Sequence, residues 1–97
     1  MPTPLPLSQK IIDAACIYYQ CNQQQLQTRE YIEQRKIVCY LLRNEAMLKY
    51  KRIQIIFNQK NHSALYRQIT DIEAQKNVIR SINTDIKNIK QLAGICE

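Results

Sequence analysis

From Ser8 onward the apolar residues of this chain recur at intervals of three and four, and they do not alternate over any strand-length run. That spacing predicts helices throughout. Ile11, Ile12, Ala15, Cys16 and Tyr19 form one face of a first helix, from an N-cap at Ser8 to about Gln20. Asn22 caps a short polar turn, QQQLQ, pinned by Leu26. Thr28 opens what reads as the longest helix, TREYIEQRKIVCYLLRNE. Its packing stripe is Ile37, Val38, Leu41 and Leu42, with Glu45 at the wet edge and Arg35, Lys36 and Arg43 away from the centre, so one face packs and the other is basic. After a link at 46–49, Ile53, Ile56 and Phe57 mark a two-turn helix over about 50–57, which Asn58 can close in the left-handed conformation. Asn61 caps the next, 61–76, whose inward side is Leu65, Ile69 and Ile72 with Lys76 at its end. A last helix from about Asn77 carries Ile79, Ile82, Ile86, Ile89 and Leu92 and stops at Gly94.

Turn punctuation supports the same reading. The three prolines fall within the first six residues and Gly94 is the one glycine, so little interrupts the helices. The 97 residues suffice for one core. The expected fold is therefore all-α, a single domain of five to six helices over 8–97, preceded by a proline-stiffened tail at 1–7. The start, MPTPLPLS, lacks a basic and apolar leader, and no run approaches the roughly 18 apolar residues of a membrane span. We expect a cytoplasmic protein with no membrane partner. Cys16, Cys21, Cys39 and Cys96 make no C-x-x-C pair, and one histidine cannot complete a zinc site, so reduced, buried thiols and no metal are expected.

Charge changes the picture once it is located. Residues 29–67 hold nine basic and three acidic residues, which accounts for the entire net charge of +6. A basic excess in one segment is the footprint of a surface that meets a polyanion. Two helices, about 50–57 and 61–76, joined by a short turn have the spacing of a helix-turn-helix. In such a unit the start of the second helix faces base edges in the major groove and flanking cations hold phosphates. His62, Ser63, Tyr66 and Arg67 would occupy that tip. Arg67, Lys51 and the neighbouring Lys49 and Arg52 are expected on phosphates.

Residues 28–73 also resemble the C-terminal DNA-binding domain of the bacterial replication initiator DnaA. The carriers are TREYIEQRK, beside that family's T-R-E-x-V-E-x-R-Q, and KNHSAL, beside its [RK]-D-H-[ST]-T-V, with Arg35 to His62 spaced without a gap. The similarity extends over roughly 11–93. It implies a Trp-repressor-like helical domain whose helix-turn-helix enters the major groove of double-stranded DNA. By position it implies DNA contacts from Arg35 and Lys36, base and backbone contacts from Lys60, Asn61, His62 and Ser63, and a basic-loop role for Arg29. The basic segment that precedes the T-R-E motif in the family is absent here, and Asn61, Ala64, Lys36 and Lys49 replace family residues, so a different base preference is expected. A phosphate loop needs glycines this chain lacks, which leaves no nucleotide or other cofactor in the expectation.

His62 beside Ser63 invites a catalytic reading, but neighbours on a helix diverge by roughly 100°, and no third group is evident. No enzyme is expected. Two function classes remain: a sequence-preferring DNA binder acting in replication or transcription, or a helical protein-interaction module that pairs with itself or another protein through the isoleucine-rich last helix.

Overall fold

The structure, a computed structural model, describes residues 6–95. Six α-helices make up the fold, with no strand among the described residues: α1 (Leu7–Tyr19), α2 (Gln23–Leu26), α3 (Ile32–Asn44), α4 (Tyr50–Ile56), α5 (His62–Gln75) and α6 (Arg80–Leu92). The all-α expectation holds. Most of the expected tail lies outside the described residues, as does Cys96.

Residue type explains four of the boundaries. Asn22 and Gln25 form a capping box across α2, the Asn22 Oδ1 accepting from the Gln25 N–H at 2.7 Å and the Gln25 Oε1 accepting from the Asn22 N–H at 2.9 Å. Asn61 Oδ1 accepts from the Ala64 N–H at 3.1 Å to start α5. Asn58 closes the α4 turn at φ 53° and Gly94 ends α6 at φ 80°, both left-handed as their residue types favour.

Three boundaries depart from the sequence reading. Ser8 is not the first cap: the Pro6 carbonyl accepts from Gln9 and Lys10, so α1 begins at Leu7. Thr28 does not open α3 directly, because its hydroxyl turns back to donate to the Gln25 carbonyl at 2.6 Å. A three-ten turn, Arg29–Tyr31, intervenes before Ile32. At 13 residues α3 is one shorter than α5. The last helix starts at Arg80, since the Val78 and Ile79 N–H groups are spent on the Gln75 carbonyl. Ile79 and Leu92 therefore sit exposed at the two ends of a stripe whose centre, Ile86 and Ile89, is buried.

The core is organised around α3. Ile37, Val38, Cys39, Tyr40, Leu41 and Leu42 are all buried. Six successive residues at about 100° each sweep the whole circumference of a helix, so α3 has no basic face; α1, α4, α5 and α6 surround it. Its charged residues are confined to its ends. Burial pushes the Cys39 thiol up to about 12, which keeps it an inert apolar filler. Cys16 and Cys21 are half-buried free thiols. Asp85 ties α6 to α1, accepting from the Tyr18 hydroxyl at 2.8 Å and the Tyr19 hydroxyl at 3.1 Å.

Candidate nucleic-acid interface

Leu65, Ile69 and Ile72 recur at the spacing of one helix face, and all three are buried against α3. Each contributes on the order of 1.5–3 kcal/mol by leaving water, and together they fix the rotation of α5. With those three inward, the helical period turns His62, Ser63, Tyr66 and Arg67 outward, and all four are exposed. They line one shallow groove of about 450 Å³ with Thr70 and Asp71.

A stack of rings holds this tip against α4. The Tyr50 ring meets the edge of His62 at 5.1 Å between centroids and Tyr66 at 5.8 Å. The Arg43 guanidinium lies over the Tyr50 ring, 4.6 Å from its centroid, while donating to the Leu48 carbonyl at 3.0 Å. One chain of contacts thus joins the end of α3, the start of α4 and the start of α5. The relevant energies are about 0.5–1.5 kcal/mol for each aromatic pair and about 0.5–1 kcal/mol for the cation over a ring. In sequence Tyr50, like Tyr66, reads as a ring that either stacks or packs, and Arg43 only as part of a basic face. Their partners lie on other helices, where no periodicity registers them. Tyr66 is 54% exposed, so the contact orders its ring without hiding it.

Around the tip, Lys49, Lys51, Arg52, Lys60 and Arg67 are exposed. Among the described residues none of the five has a carboxylate within 4.0 Å. Arg29 is likewise exposed, on the three-ten turn. Unpaired lysines and arginines of this kind retain their full attraction for a polyanion.

Two expected cations serve other ends. Arg35 Nη1 donates to the Leu26 carbonyl at 3.3 Å and the Thr28 carbonyl at 3.1 Å, and its Nε is buried without a partner. It clamps the segment between α2 and α3 instead of reaching outward, because the first turn of the central helix faces that segment. Lys36 pairs with Glu33 at 3.3 Å, which offsets its charge. Asn61 takes the cap expected of it: its Oδ1 is committed to the start of α5, leaving only its amide hydrogens for an outside acceptor.

The tip offers hydrogen-bonding groups, rings and cations, and the ring contact of His62 is Tyr50. Among the described residues no three His, Cys, Asp or Glu side chains gather into a metal site, and no helix is long and apolar enough to cross a membrane. Compared with protein-family models, characterised proteins and solved structures, the chain gives no significant match to any.

Proposed function

We propose that this chain binds double-stranded DNA, with α4 and α5 acting as a helix-turn-helix whose second helix enters the major groove by its N-terminal end. The observation that carries this reading is the tip of α5. His62, Ser63, Tyr66 and Arg67 face outward there, braced by Tyr50 and ringed by four further exposed cations, Lys49, Lys51, Arg52 and Lys60, with no carboxylate within 4.0 Å among the described residues. Histidine and serine can exchange hydrogen bonds with base edges, and Arg67 with a guanine or a phosphate. Lys49, Lys51, Arg52, Lys60 and Arg29 would hold phosphates on either side. The resemblance of residues 28–73 to the DnaA DNA-binding domain agrees with this assignment. A regulator or an accessory of replication would use such a module.

A second reading, a helical interaction module, draws support from apolar side chains at the start and end of α6: Val78 is 82% exposed, and Ile79 and Leu92 are exposed as well. Selection from a randomised duplex pool at two salt concentrations separates the two. The DNA reading expects retention at low salt with an enriched sequence, and loss of the enrichment but not the retention in a His62→Ala/Ser63→Ala variant. If no duplex is retained at low salt, the interaction module stands instead.

A further inference from the structure

Outside residues 29–67 the charges cancel, five basic against five acidic, so the sequence shows no second charged surface. The fold separates them. Arg80, Asn83, Lys87 and Lys90 fall three and four residues apart on α6 and share one face. Together with Lys76 and Asn77 of the preceding turn they line two adjoining hollows of about 370 and 470 Å³. Three of the acidic residues are held by partners. Asp85 faces the α1 tyrosines, Glu73 pairs with Lys76 at 3.2 Å, and Glu45 of α3 pairs with Lys90 at 3.1 Å. Arg80 and Lys87 remain exposed, with no carboxylate within 4.0 Å among the described residues.

The lining identifies the class of ligand. Cations and side-chain amides predominate in it, its one carboxylate, Glu45, is paired with Lys90, and its one ring, Tyr40, is buried beneath Lys76. Without an exposed ring there is nothing to stack a base. Cations and amides bind phosphate oxygens and sugar hydroxyls, which makes such a groove blind to sequence. Its place in the fold matters too. The 14 residues of α5 span about 20 Å at 1.5 Å each, and this groove adjoins the end opposite His62. A duplex that receives the N-terminal end of α5 therefore meets the end of that helix opposite the groove.

We propose that the groove formed by Arg80, Asn83 and Lys87 holds the phosphodiester backbone of a second duplex, so that one molecule bridges two DNA segments. The bridging, though not the groove's affinity for a backbone, rests on the α4–α5 reading above. The test loads the full chain onto an immobilised short duplex and measures capture of a second, fluorescent duplex. The wild-type protein should capture it. Arg80→Ala/Lys87→Ala, which changes only exposed side chains, should load onto the first duplex as the wild type does, yet lose capture by about tenfold or more at low salt, two phosphate contacts being removed. Equal capture by that variant overturns the proposal. So does a groove that shifts with inorganic phosphate by NMR while the protein captures no second duplex. A Lys51→Ala/Lys60→Ala variant that loads onto the first duplex as well as the wild type would instead sink the α4–α5 reading, a separate outcome.

Discussion

Replacing Lys51 and Lys60 by alanine gives the sharpest quantitative test of the α5 tip. Both side chains are exposed, neither has a carboxylate partner among the described residues, and neither touches the core, so the variant should fold as the parent does. If Lys49, Lys51, Arg52, Lys60 and Arg29 each neutralise one phosphate, the log of the binding constant should fall with log salt at a slope of about −4.5, from 0.9 per contact. Raising salt from about 50 to about 200 mM then weakens the parent roughly 500-fold. With two contacts removed the slope becomes about −2.7, and the same change weakens the variant only about 40-fold. Fluorescence anisotropy with trace labelled duplex across that range measures both. A variant whose slope equals the parent's would refute the placement of these lysines on phosphates, whatever its affinity at one salt concentration.

Tyr50→Ala removes two ring contacts and the seat of the Arg43 guanidinium. It should cost about 2 kcal/mol of stability and blur sequence preference, read by urea denaturation and pool selection. Tyr50→Phe keeps the ring and should match the parent in both. At the far end of α5, the Tyr40 hydroxyl and Lys76 hold the Glu73 carboxyl below its ordinary value of 4.5. A depressed carboxyl contributes stability above its unfolded pKa and loses it as pH falls through the folded one. The gap in urea midpoint between the parent and Glu73→Gln should therefore narrow as pH drops below 4.5; a gap that does not change with pH would remove Glu73 from the acid response.

What could be read from the chain follows from what periodicity records. The inward residues of α5, Leu65, Ile69 and Ile72, are legible because the opposite face meets water. Asn22 and Asn61, whose short side chains bond the backbone of the helix they start, and Asn58, whose residue type favours the left-handed end of a helix, are legible as well. The surroundings of α3 are not. A stripe appears only when a helix has a wet side, and Ile37 through Leu42 have none. Arg35 shows the corresponding failure at the site: its charge is visible in sequence, whereas the carbonyls of Leu26 and Thr28 that occupy it come from a neighbouring segment. The α6 groove escaped for a third reason. A sum of charges over a segment discards direction, and Asp85 and Lys87, two residues apart, look in different directions.

The enclosure of α3 also sets how this architecture can be divided. Leu65, Ile69 and Ile72 find their apolar neighbours on α3, and so does much of α1. The α4–α5 pair thus borrows its core from the helix that precedes it, and α3 in turn stays dry only while α1 and α6 cover it. No stretch containing the tip at His62 is self-sufficient. The pair cannot be excised and grafted as a portable reading head; the smallest transferable unit is the whole bundle.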